Sequence, residues 1–175
     1  GSDSITISLQ GGQEGSQTNS TVQGGDGDDT LTGATATAAL LLAGGAGGDT
    51  ISGGTAGDTI NGGAGNDSIQ GNVGADVFSG GDGNDQFLYT TDAELFNAGN
   101  ALVDTNISGN SGDDSLVMST GGTGAFNIVA ADSFATTAIT DVERLVAATG
   151  TTGAFTITLN NAASDAGLRA VDLSA

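Results

Sequence analysis

The sequence predicts an all-β protein assembled from short strands that repeat along the chain. Three observations predict it. Glycine, 32 of 175 residues, returns in pairs at a period of nine rather than at random. Each period closes on one large apolar residue flanked by Thr, Ser, Asn or Gln, the alternation of a strand with one buried face. With six Phe, one Tyr and no Trp, any core must be built mainly from Ile, Leu, Val and Ala.

In chain order, Gly1-Ser2-Asp3-Ser4-Ile5-Thr6 is a partial copy of the period. Residues 7–23 are looser: Gly11-Gly12 opens a turn and Val22 takes the apolar place, with no Asp two residues before it. The first full copy is Gly24-Gly25-Asp26-Gly27-Asp28-Asp29-Thr30-Leu31-Thr32. Residues 33–43 form an eleven-residue copy with Leu40 in place of the acid and Leu42 in the apolar place, so a strand is kept and the acid lost. Five consecutive nonapeptides follow, beginning at Gly44, Gly53, Gly62, Gly71 and Gly80. The sixth position of the full copies is always acidic (Asp29, Asp49, Asp58, Asp67, Asp76, Asp85) and the eighth always apolar (Leu31, Ile51, Ile60, Ile69, Phe78, Phe87). Two copies depart from the glycine pattern: Gly53-Gly54-Thr55-Ala56 lacks the third glycine and Gly71-Asn72-Val73-Gly74 the second.

This Gly-Gly-x-Gly-x-Asp-x-U-x pattern, over residues 24–88, resembles the calcium-binding nonapeptide of the RTX (repeats-in-toxin) family. The resemblance implies a parallel β-roll, a β-solenoid of calcium-binding repeats, with six glycine-rich residues turning the chain and three forming a strand. Gly25, Gly27, Gly45, Gly47, Gly63, Gly65, Gly81 and Gly83 supply the turn its positive φ and close backbone approach. Two nonapeptides then close one eighteen-residue coil, each stacked about 4.8 Å from the next. Loops of Asp29, Asp49, Asp67 and Asp85 fall on one edge and those of Asp58 and Asp76 on the other. Stacked carboxylates repel unless a cation lies between them. Several Ca²⁺ ions are the implied cofactor, since calcium takes carboxylate and carbonyl oxygens from flexible turns, whereas magnesium demands a smaller rigid octahedron. Asp26, Asp28, Asn66, Asp82 and Asn84 are expected as supplementary ligands. No EF-hand loop or phosphate-binding glycine loop fits these spacings.

Beyond Tyr89 a slower period begins. Asp85, Asp114, Glu143 and Asp172 fall 29 residues apart, and Thr123-Gly124-Ala125-Phe126-Asn127-Ile128 returns as Thr152-Gly153-Ala154-Phe155-Thr156-Ile157. These spacings predict a β-roll over residues 1–88 continuing, in one stack, into a wider parallel β-solenoid over 89–175, with strands near 125–129 and 155–159. Gly109-Asn110-Ser111-Gly112-Asp113-Asp114 is one more loop of the repeat type, which makes Asp114 a candidate ligand. The opening partial copy and an ending inside a turn are expected of a piece of a longer chain.

Composition narrows function. With 21 acidic residues against 2 basic and a net charge of −19, nucleic acid and anionic membranes are unfavourable partners. The absence of His and Cys excludes a Ser-His-Asp triad, a Cys-His nucleophile and a thiolate or imidazole zinc site. A carboxylate-based glycosidase would need aromatic residues to stack sugars, so no enzymatic activity is expected. The longest apolar run, residues 38–43, falls far short of the roughly 18 residues of a membrane span. Arg144 and Arg169, the only cations, fit surface ion pairs. The resemblance implies type I secretion from a Gram-negative bacterium and folding outside the cell. Richness in Thr, Ala, Asn and Gly, the absence of Lys, and the Val142-Glu143-Arg144-Leu145 segment are most similar to surface-layer or adhesin-type members. Self-assembly into a lattice or fibre and attachment to cell-surface polysaccharide are the partners this implies. The alternative is the calcium-dependent folding and secretion domain of an exported enzyme or toxin.

Overall fold

The structure, a computed structural model, describes residues 1–7, 20–91, 94, 103–119, 126–129, 139–147, 155–158 and 170–172. Gly11-Gly12, the segment 123–125, Leu159 and Arg169 lie outside them. The strands are β1 (Ser4–Thr6), β2 (Ser20–Asp26), β3 (Thr30–Thr32), β4 (Leu40–Ala46), β5 (Thr50–Ser52), β6 (Thr59–Ala64), β7 (Ser68–Gln70), β8 (Val77–Asp82), β9 (Gln86–Tyr89), β10 (Asn106–Ser111), β11 (Ser115–Met118), β12 (Phe126–Val129), β13 (Ile139–Thr140), β14 (Arg144–Ala147), β15 (Phe155–Thr158) and β16 (Ala170–Asp172). An eight-stranded sheet runs β1-β3-β5-β7-β9-β11-β14-β16, a six-stranded sheet runs β13-β10-β8-β6-β4-β2, and β12 pairs with β15. Among the described strands every pairing is parallel. The chain is therefore the all-β parallel roll that the nonapeptides predict.

One coil contributes one strand to each sheet, which explains why alternate strands neighbour one another. The apolar eighth positions face inward in two columns. Leu31, Ile51, Ile69, Phe87, Leu116 and Leu145 come from the larger sheet, and Leu42, Ile60, Phe78, Ile107 and Ile139 from the smaller, all buried. Phe78 and Phe87 touch across the interior with ring centroids 6.0 Å apart. The degenerate copy behaves as its residues dictate: Leu42 pairs with Ile60, and Leu40 is buried in the place of the acid.

The glycines meet a second demand besides conformation. At Gly45 and Gly63 φ is +124° and +116°, and a side-chain carbon on either would collide with the carbonyl oxygen of the equivalent glycine one coil earlier. Where a second-position glycine is missing, Asn72 (φ 68°) and Asn110 (φ 69°) take the left-handed conformation instead, which Asn tolerates best after Gly. Each then donates its side-chain amide to a Ser of the preceding coil, Asn72 to Ser52 Oγ at 3.1 Å and Asn110 to Ser79 Oγ at 2.9 Å.

The 29-residue period is real through β9, β11 and β14, where Gln86, Ser115 and Arg144 align, and through β12 and β15, where Phe126 aligns with Phe155. Its last step is not. Ala170 pairs with Arg144 and Asp172 with Val146, so the final offset is 170 − 144 = 26 residues and Asp172 does not stand in line with Glu143. Alignment follows the apolar row, Leu145 beside Val171, and not the spacing of the acids.

Candidate metal centre

Five loops on one edge, residues 24–29, 44–49, 62–67, 80–85 and 109–114, carry the chain from the smaller sheet to the larger. Their last residues, Asp29, Asp49, Asp67, Asp85 and Asp114, are only 0–2% exposed. They form a ladder: in each coil the backbone N–H of the acid donates to the carboxylate of the coil after it. Asp29 donates to Asp49 Oδ1 (2.7 Å), Asp49 to Asp67 (2.8 Å), Asp67 to Asp85 (2.9 Å) and Asp85 to Asp114 (2.8 Å). Asp3 extends it below, onto Asp29 Oδ1 at 2.6 Å, and Glu143 above, where Oε2 accepts the Asp114 N–H at 2.9 Å. The separations of 18 residues between Asp49, Asp67 and Asp85 are those of the predicted coil, and the 20 between Asp29 and Asp49 absorb the two extra residues of the degenerate copy.

The second oxygen of each carboxylate is what marks a site. Oδ2 of Asp29, Asp49, Asp67, Asp85 and Asp114 is buried and takes no hydrogen bond. It points at the bare Cα of the loop's first glycine, where the carbonyl oxygen of the next coil also arrives. A side-chain carbon on Gly44 would collide with Asp49 Oδ2 and stand 2.6 Å from the Gly62 oxygen; on Gly62 it would collide with Asp67 Oδ2 and stand 2.6 Å from the Gly80 oxygen. Each rung thus brings a bare carboxylate oxygen and a main-chain carbonyl oxygen of the next coil to the same glycine. Among the described residues no three acidic side chains converge as a metal-holding group. One carboxylate with carbonyls from tight turns is a donor set that suits Ca²⁺.

Electrostatics agree. Burial pushes the carboxyls of Asp49, Asp67 and Asp114 above the usual range and that of Asp85 up to about 6; the backbone N–H each accepts pulls the other way, and acids above and below push up again. A buried charge without a partner costs far more than a hydrogen bond returns, so these groups require a cation or a proton.

The other edge is uneven. Asp58 receives N–H groups on both oxygens, from Leu40 at 2.8 Å and from Gly54 at 2.6 Å, and burial still holds its carboxyl above the usual range. Asp76 accepts the Asp58 N–H on Oδ1 at 2.7 Å but leaves Oδ2 bare, and burial raises its carboxyl to about 7. Above it lies Asp104, which receives the Asp76 N–H at 3.0 Å and the Tyr89 hydroxyl at 2.6 Å. Asp104 and Glu143 occupy the acid's place without a complete nonapeptide around them, and sequence reasoning did not count them as site residues.

Three of the supplementary positions bond from coil to coil at the loop tips. Asp28 Oδ1 accepts the Gly48 N–H at 2.8 Å, Asn66 Oδ1 the Asn84 N–H at 2.7 Å, and Asn84 Oδ1 the Asp113 N–H at 2.8 Å, an exposed second ladder along the loop tips. Asp26 and Asp82 are exposed on the rim. Gly25, Gly27, Gly45, Gly47, Gly63, Gly65, Gly81 and Gly83 all take positive φ, as the turn requires.

A family model described as the RTX calcium-binding nonapeptide repeat matches the chain in four copies, over residues 14–35, 41–65 and 52–87. No curated protein and no solved structure matches it. The matched residues include the loops of Asp29, Asp49, Asp58, Asp67, Asp76 and Asp85 and stop before Asp104, Asp114 and Glu143.

Proposed function

The chain carries the calcium-binding nonapeptide repeats of the RTX family, and from that premise we propose that it is an extracellular structural module of a type I-secreted bacterial surface-layer or adhesin-type protein. In this reading calcium held between the stacked edge loops folds the module and prepares it for assembly, and its task is structural rather than catalytic. The observation that carries the calcium reading is the column of buried aspartates, each with one oxygen bonded to the neighbouring coil and the other bare.

The chain has 21 acidic and 2 basic residues, so cations from outside the chain must balance the column. Weak extracellular calcium modules bind at about 10⁻⁴ to 10⁻³ M. Cytosolic calcium would leave such loops unfilled and the chain thread-like for export, whereas external calcium would fill them and make folding cooperative along the stack. Stacked coils then present sheet edges and loop tips to neighbouring copies or to a surface polysaccharide.

Circular dichroism during chelator titration tests the first half: the β signal should be lost in excess EGTA and return with calcium. A β signal indifferent to chelator would sink the reading. Light scattering and electron microscopy with and without calcium test the second half. A chain that folds with calcium yet stays monomeric at every concentration would move the reading to a folding and secretion domain of an exported enzyme or toxin.

A further inference from the structure

We infer that the calcium column extends beyond the nonapeptides into a capping site that the repeat does not encode, built from Asp114, the main-chain oxygen of Asp141 and the carboxylate of Glu143. The inference rests on the calcium reading of the edge loops.

Asp114 is fully buried, its Oδ1 accepts the Asp85 N–H at 2.8 Å, and its Oδ2 has no partner. That bare oxygen points at the Cα of Gly109, and a side-chain carbon there would collide with both Asp114 Oδ2 and the Asp141 carbonyl oxygen. Asp141 thereby takes the role that the next coil's first glycine plays in every rung below. It holds the left-handed conformation (φ 53°) that such a tight turn demands. Glu143, 7% exposed, accepts the Asp114 N–H on Oε2 at 2.9 Å, while its own N–H and that of Arg144 donate back to the Asp114 carbonyl oxygen at 3.1 and 3.0 Å.

The substitution of Glu for Asp has a geometric reason. β10 pairs with β13 and β11 with β14 in the same parallel sense as below, but the connecting turn shrinks from residues 109–114 to residues 141–143. A shorter turn cannot carry its acid as far across the edge, and the additional methylene of Glu restores the reach. Asp113 and Asp141 add negative charge around Asp114. On the other edge Asp58 and Asp104 have both oxygens occupied by N–H or O–H donors, whereas Asp114, like Asp76, keeps one buried oxygen bare. The ligand class is a hard divalent cation, and calcium in particular.

Anomalous diffraction from crystals of the 175-residue chain grown with calcium decides the matter without any substitution. A peak among Asp114, Asp141 and Glu143 is expected. Peaks in the loops of Asp49 and Asp67 with none here would overturn the capping site and leave the calcium reading standing; no peak in any loop would overturn both. Calorimetry of Glu143→Gln, which keeps an oxygen for the Asp114 N–H, supplies an independent arm. One ion fewer than in the unsubstituted chain is expected, and an unchanged ion count and affinity would overturn the assignment.

Discussion

At Asp67 two tasks of one side chain can be separated by substitution. Oδ1 accepts the Asp49 N–H at 2.8 Å and Oδ2 is bare. Asp67→Asn keeps an acceptor for the N–H but removes the charge, so the chain should still fold at saturating calcium while the calcium needed rises about tenfold or more, about 1.4 kcal/mol per factor of ten. Asp67→Ala also orphans the buried Asp49 N–H and should cost a further 1–3 kcal/mol, roughly. Asp58→Asn behaves in the opposite way: with N–H groups on both oxygens, an amide must set its NH₂ against one of them, lowering stability while leaving the ion count unchanged. Calorimetric calcium titrations beside thermal melts check all three; an ion lost from Asp58→Asn and none from Asp67→Asn would reverse the assignment. Glycine can be graded in the same loops. Gly63→Ala meets both a positive φ and the Gly45 carbonyl oxygen, whereas Gly48→Ala has no such φ and 3.1 Å to the Asn66 oxygen. The first should destabilise by about 1–3 kcal/mol and the second by clearly less, measured as denaturant midpoints in calcium.

Where the nonapeptide rhythm stops, a single replacement stands at the start of a turn. Gly33, Gly53 and Gly71 follow the strands of the larger sheet in the lower coils, and the corresponding residue after Leu88 is Tyr89, buried and paired in register with Met118. At Gly71 a side-chain carbon would collide with Asp76 Oδ2 and the Phe78 ring, whereas at the corresponding place in the next coil the Tyr89 side chain is accommodated and its hydroxyl donates to Asp104. The widening lies on this edge, while residues 109–114 keep the older loop on the other. Tyr89→Phe removes the donor from a buried carboxylate and should lower stability by about 1–3 kcal/mol in calcium; an unchanged denaturant midpoint would show that the bond holds nothing. The same element explains what was legible in the sequence. Coil length, edge assignment and the inward columns followed from positions six and eight, because each repeat states them afresh. Asp104 was hidden because it lies three positions, not two, before its apolar partner Ile107 and no glycine loop precedes it. Glu143 showed only as a spacing, since Glu replaces Asp and the turn before it is short. Asp172 does not continue the acid row because equal spacing of acids does not fix a register; the strand pairing sets Arg144 opposite Ala170 and Leu145 opposite Val171.

For the whole molecule the buried column couples folding to two ligands, calcium and the proton, that act in opposite directions. Without calcium, burial holds Asp76 at about 7 and Asp85 and Asp104 at about 6, all above the ordinary 3.8. The folded chain then binds more protons than the unfolded one. Stability from these groups is fully present below about pH 4 and is lost as pH rises through 6 to 7. Calcium inverts the dependence. A rung that holds the ion must be ionised, so protons compete with the metal, and the calcium-dependent stabilisation is greatest above pH 7 and lost as pH falls through the same window. The two stability curves should therefore cross. Repulsion within a chain of net charge −19 also weakens on acidification, but that contribution lies largely at the surface and is screened at about 1 M salt, where the Debye length is roughly 3 Å. The experiment follows from that difference. In EGTA and high salt, lowering the pH from 8 to 4 should raise the β signal in circular dichroism as buried carboxyls such as Asp76, Asp85 and Asp104 take up protons. In excess calcium the same titration should reduce the number of bound ions. A calcium-free β signal that ignores pH at high salt would mean that the column does not carry the charge burden its burial implies.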